Sequence, residues 1–147
     1  DMETFDRLLS QDSKELAEKY GKTLGIGAPY SLLIKGKAAI AKIQDEVITL
    51  QFEGNVDYQI RVGSIFSNTM REASGYFDLD EFETTMDFNL VAIEINNRIV
   101  KEIITPVIPQ LKVGAVVEFM GAADINLRRL PVKTIEIIPI TLQIAQP

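Results

Sequence analysis

The chain contains no cysteine, no histidine and no tryptophan among its 147 residues. Without cysteine there is no disulfide, no thiol nucleophile and no thiolate metal site, and cysteine usage says nothing about redox compartment. Without histidine, the usual general base near neutral pH and the commonest metal ligand are both missing, which removes most hydrolase and metalloenzyme mechanisms. Positive charge is also scarce. Fifteen Lys and Arg against twenty-one Asp and Glu give a net charge of -6, which repels phosphate backbones and disfavours nucleic acid. No apolar run approaches the roughly 18 residues of a membrane helix, and no signal peptide is present. The sequence opens on Asp1 rather than Met, so an upstream segment, with any export signal or anchor, is expected to have preceded it.

The length suits one domain, which at this size buries roughly 70% of the surface its unfolded chain exposes. A hydrophobic content of 46% beside 24% charged residues is ordinary for a globular protein, so wholesale disorder is not expected.

"METFDRLLSQDSKELAEKYG" carries apolar residues at helical spacing, interrupted between Ser10 and Ser13, which predicts two short helices. Asp12 with Glu15 resembles a capping box, and Gly21 is expected to close the second helix with a positive φ. "GKTLGIGAPY" reads as a flexible linker and lacks the order of a phosphate-binding loop. The expected organisation is a helical extension and linker over residues 1–29 and a globular unit over 30–147.

From Tyr30 the period changes to two. "LLIKGKAAIAKI" predicts a long strand that Gly36 relaxes enough to bend, "VITLQF" follows after a turn at Gln44 to Glu46, and "VDYQIRV" completes a three-strand meander. In the second and third strands Ile48, Leu50, Phe52, Val56, Tyr58, Ile60 and Val62 alternate with polar residues. The segment 64–82, "SIFSNTMREASGYFDLDEF", reads first as a connection. Thr84 to Thr105 then returns to helical spacing with a core stripe of Met86, Leu90, Ile93, Val100 and Ile104, ended by Pro106 and Pro109. Asn97 lies on that stripe and Asn96 beside it. "GAVVEFMGAADI" and "VKTIEIIPITLQI" supply two more strands, the last with a parity change at Ile137 and Ile138 beside Pro139 that predicts a bulge or an edge position.

Three strands, a helix and a two-strand hairpin is the element order of the OB-fold, a five-stranded, partly open Greek-key barrel; an open α+β sheet is the alternative. The helix would plug one end. OB-folds bind oligonucleotides or oligosaccharides on the face of strands two and three and in the loops joining strands one to two and four to five, here Gln44 to Glu46 and Asn126 to Pro131. That face carries Thr49, Gln51, Asp57, Gln59 and Arg61 with no aromatic platform, and Arg128 and Arg129 in an acidic chain read as a solvated turn, so nucleic acid is not expected. Gln59 and Arg61 are candidate ligand contacts.

Asp78, Asp80, Glu81 and Glu83 lack calcium-loop spacing and read as an acidic helix start. Ser64, Ser67 and Ser74 have no histidine to activate them. A carbohydrate-active enzyme with a carboxylate pair remains the alternative to a noncatalytic module, although no spacing fixes such a pair. No metal or cofactor motif is found. Asn is a poor helix former, so an amide at 96 or 97 near the core needs partners. It reads either as a polar tie to segment 64–82 or, with Arg71, as the lining of a pocket.

"AEKYGKTLGIGAPYSLLIKGKAAIAKI", "IRVGSIFSNTMREASGYFDLDEF", "NNRIVKEIITPVIPQLKVGAVVEFMGA" and "IIPITLQI" together resemble a family of predicted periplasmic lipoproteins of unknown function, domain of unknown function 2291. Within that resemblance "SNTMRE" matches a family G-T-x-L-R-(D/E) pattern at Arg71 and Glu72, Asn96 matches its helix asparagine, and "VVEFMGA" matches a strand motif. Phe82 is in place, but Thr84 and Thr85 stand where the family has an Asn-Gln pair. The resemblance implies a periplasmic domain with an upstream lipid or membrane anchor, no enzyme activity, and an accessory role beside a sugar ABC transporter. A transporter component, its solute-binding protein or a saccharide would be the partner. Oligomeric state is not indicated.

Overall fold

In the computed structural model, residues 1–11, 13–21, 30–54, 56–65, 69–74, 85–127 and 132–145 are described. The period-two stretches form five strands: β1 (Tyr30–Gln44), β2 (Val47–Gln51), β3 (Asp57–Arg61), β4 (Val116–Ile125) and β5 (Thr134–Ile144). They close into a barrel in the order β1-β2-β3-β5-β4. β1 is long enough to serve both sides of it. Its first ten residues pair antiparallel with β4 and its last with β2. β3 and β5 run parallel and close the ring. This is the OB topology, and closure excludes the open sheet.

The inward face of the barrel holds Ile48, Tyr58, Ile60, Val117, Phe119, Ile125, Ile135 and Ile137, all buried. Each large apolar side chain stabilises the closed form by roughly 1.5–3 kcal/mol relative to exposure. The register of β1 shifts between Ile40 and Lys42, where it changes partners, whereas at Gly36 a Cβ would lie 3.0 Å from the Phe119 ring and 3.1 Å from the Met2 Cβ. Gly36 therefore makes room for the Phe119 ring and Met2.

The parity change in β5 resolves as a bulge at Ile140, because Gly121 pairs with Pro139 and Met120 with Thr141. Parallel pairing to β3 runs only as far as Ile137, so Pro139, which has no N–H, withholds no donor from that neighbour. Gly121 is held by close approach. A Cβ there would meet the Ile138 carbonyl oxygen at 2.4 Å.

The N-terminal pattern forms α1 (Met2–Gln11) and α2 (Ser13–Tyr20), broken where the spacing is interrupted. Asp12, the side chain of Glu15 and the linker 22–29 lie outside what is described, so the capping box is not placed. Gly21 donates to the Ala17 carbonyl at 2.8 Å, but among the described glycines the positive φ belongs to Gly114 (92°). The expected left-handed conformation is thus absent at Gly21, although its hydrogen bond to Ala17 closes the helix. Met2, Phe5, Leu9 and Leu16 join the same apolar cluster as the barrel. The Phe5 and Phe52 rings meet Tyr58 edge-on at 6.2 and 5.2 Å, and the Tyr58 hydroxyl donates to Asp6 Oδ1 at 2.8 Å.

Segment 64–82 contains a helix that the sequence pattern did not announce, α3 (Thr69–Ser74), which packs on β1, β4 and α4 (Thr85–Arg98). Asp124 of β4 accepts from the hydroxyls of Ser31 and Thr69, the latter at 2.7 Å, and so pins α3 to the outer face of the β1–β4 pair. Residues 75–84, with the acidic cluster and Phe82, lie outside the described residues.

The expected core stripe of α4 is corrected. Met86, Leu90 and Ile93 are 72%, 52% and 54% exposed, and the buried face is Phe88, Ala92, Asn96 and Ile99. Asn97 is exposed. Both stripes have helical period, and packing against α3 selects the second. After Arg98 the helix widens into a π turn, Ile99–Ile104, in which the amide and hydroxyl of Thr105 both donate to the Val100 carbonyl. Ile99, Ile104 and Val107 belong to the barrel's apolar cluster, so the plug is formed by this distal part and not by the whole helix.

Candidate functional site

β1 reverses into β2 through a two-residue turn in which Asp45 (φ 54°) and Glu46 (φ 62°) both take left-handed conformations, with Gln44 paired to Val47. That is the turn whose twist suits a tight hairpin. Strand alternation then puts Lys42 and Gln44 on the outer face with Val47 and Thr49, and pairing of Thr49 with Gln59 brings β3 alongside. Lys42, Gln44, Asp45, Val47, Thr49 and Gln59 line a shallow polar cup of about 250 Å³. An ammonium, two amides, a hydroxyl and one carboxylate supply both donors and acceptors, the equipment for hydrogen-bonding a polyhydroxylated or amide-bearing ligand. Among its described lining residues Asp45 is the single carboxylate, so the cup does not present the pair that glycoside chemistry needs.

The four sequence-selected residues divide. Gln59 lines the cup. Arg61, two residues along β3, is turned to structural contacts: its Nε donates to the Ser64 carbonyl at 2.7 Å and its Nη2 lies 3.6 Å from Glu46 Oε2, tying the hairpin turn to the end of β3. Asn96 is buried at 5% exposure on the inner face of α4. Arg71 is in α3, which packs against α4, but its side chain lies outside what is described. Arg128 and Arg129 also lie outside the described residues. Positions 71 and 96 are therefore on neighbouring helices, while 59 and 61 share a strand on the barrel face. Gln44 and Asp45 of the cup lie in the strand-joining loop singled out from sequence, whereas Lys42 was missed; the signal was there, since a two-residue turn continues the outer face of β2 back onto β1.

Among the described residues, no three carboxylates gather as a metal ion would need, and no helix is long and apolar enough to cross a membrane.

No curated protein matches this chain. The crystal structure of an OB-fold protein from Thermotoga maritima is similar, with a TM-score of 0.81 and 24% identity over 95% of this chain and 82% of that one. The likeness shows the fold. A family model described as a predicted periplasmic lipoprotein (DUF2291) matches residues 1–143, so the chain belongs to that family of unknown function, whose description locates it in the periplasm as a lipoprotein.

Proposed function

We propose that this domain is a noncatalytic binding module whose polar cup on β1, β2 and β3 takes a saccharide, in an accessory role beside a sugar transport system. The observation that carries the reading is the position and chemistry of the cup. It sits on the strand face and first inter-strand loop with which OB-folds hold oligosaccharides, and it is lined by Lys42, Gln44, Asp45, Thr49 and Gln59. An open, polar cleft with no aromatic among its described lining residues fits a weakly held, exchangeable sugar better than a stacked base.

Gln59 is assigned a direct contact, with Arg61 fixing the wall beside it. Arg71 and Asn96 are assigned to the α3–α4 side, where burial makes Asn96 a tie between helices and leaves Arg71 as the residue to test for a transporter or solute-binding protein. Titration calorimetry against a panel of mono- and oligosaccharides tests the cup. Thr49→Val and Gln59→Ala are expected each to weaken a bound sugar by about tenfold, equivalent to one lost hydrogen bond, with melting temperature unchanged. Silence across the panel would remove the sugar and leave a protein partner, for which Arg71→Ala should reduce capture without loss of fold.

A further inference from the structure

The β1–β2 hairpin has a second side, and the polar cup uses none of it. Ile43 and Glu46 line a separate cleft of about 430 Å³ between the hairpin and the π turn. Val62 comes from the end of β3, Val100 and Ile104 from the π turn, and Ile108 and Leu111 from the chain beyond it. The volume lies in the range of small-ligand pockets, which are mostly apolar with a few placed polar groups. Ile43 and Ile108 are 42% and 48% exposed although both are apolar, so the cleft is open and unfilled by its own side chains.

Two features single this cleft out from ordinary surface relief. A π turn within an α-helix is rare and recurs at functional sites, and here it contributes both Val100 and Ile104 to the lining. Glu46, placed by the hairpin turn, keeps a carboxylate at the edge of an apolar cavity. Arg61 approaches that carboxylate at 3.6 Å while its Nε is engaged by the Ser64 carbonyl, so oxygen lone pairs of Glu46 stay open to a second donor. Ser64 also lines the cleft.

We infer that the cleft binds a ligand with an apolar body and a hydrogen-bond-donating head, an ammonium or a hydroxyl. The body lies against Val100, Ile104, Ile108 and Leu111, and the head reaches Glu46. An anionic head is opposed by that carboxylate and by the net charge of -6. The inference is independent of the saccharide reading, because the two sites take different residues of the hairpin.

Calorimetry on the full chain with n-octylamine, n-octanol and octanoate tests it. Octylamine should bind most tightly, octanol next and octanoate least. Ile43→Asp and Ile108→Asp, at exposed positions that the fold tolerates, should abolish binding of octylamine and octanol. Glu46→Gln should weaken octylamine about tenfold and leave octanol unchanged. Melting curves of all three variants check the fold, and sugar binding in the cup should survive Ile108→Asp. Octanoate binding as tightly as octylamine overturns the assignment of the head; affinity that persists in both aspartate variants overturns the location. Failure of all three probes to bind overturns the site altogether.

Discussion

Tyr58 shows what one buried polar contact does in this molecule. Its ring sits inside the barrel between Phe5 and Phe52, and its hydroxyl donates to the Asp6 carboxylate of α1, which offsets the desolvation. Burial, then the hydrogen bond to Asp6 and its negative charge, push the phenol well above its ordinary value of 10.0. The raised value favours the protonated form in the fold. Stability from this group is therefore complete below pH 10 and is lost as pH rises past it, because the unfolded chain ionises there and the folded one resists. Tyr58→Phe should lower stability by about 1–3 kcal/mol at neutral pH, by removing a donor from a buried carboxylate. It should also flatten the alkaline limb of a urea-midpoint profile. An unchanged limb would mean that another group sets it.

At the scale of the element, α4 explains why strands were legible and the helix face was not. In β2 and β3 the alternation Ile48, Leu50 and Tyr58, Ile60 can be satisfied in one way only, since the two faces of a strand differ completely in burial. In α4 two apolar stripes share the helical period, Met86–Leu90–Ile93 and Phe88–Ala92–Ile99, and the choice belongs to the neighbour. That neighbour, α3, is six residues long and carries no repeat of its own, so neither it nor the face it selects could be read from periodicity. Asn96 was legible as a residue needing partners but not as a member of the buried stripe. The polar cup was largely legible: Thr49 and Gln59 follow from alternation and Gln44 and Asp45 from the strand-joining loop, while Lys42 depends on the exact length of the turn. Thermal unfolding separates the stripes. Phe88→Ala should cost about 3–5 kcal/mol as a core truncation, whereas Leu90→Ser should stay within about 0.5 kcal/mol. Equal losses would show that something covers Met86, Leu90 and Ile93.

For the whole molecule, the question is whether the barrel stands without the helices before it. The sequence divides at its linker, where the period changes, into a helical extension over 1–29 and a barrel over 30–147. The core does not divide at that place. Met2, Phe5 and Leu9 of α1 lie in one apolar cluster with Ile48, Tyr58 and Phe119, and Gly36 is bare where Met2 approaches the Phe119 ring. Three such side chains contribute roughly 5–9 kcal/mol on area grounds, about the whole net stability of an ordinary domain. Removing residues 1–21 would also strip the Asp6 acceptor from the Tyr58 hydroxyl. The shortened chain is therefore expected to lose cooperative unfolding and to bind a hydrophobic dye while keeping much of its strand signal by circular dichroism. A shortened barrel that unfolds cooperatively within about 2 kcal/mol of the full chain would show instead that α1 is a cover laid over a self-sufficient core.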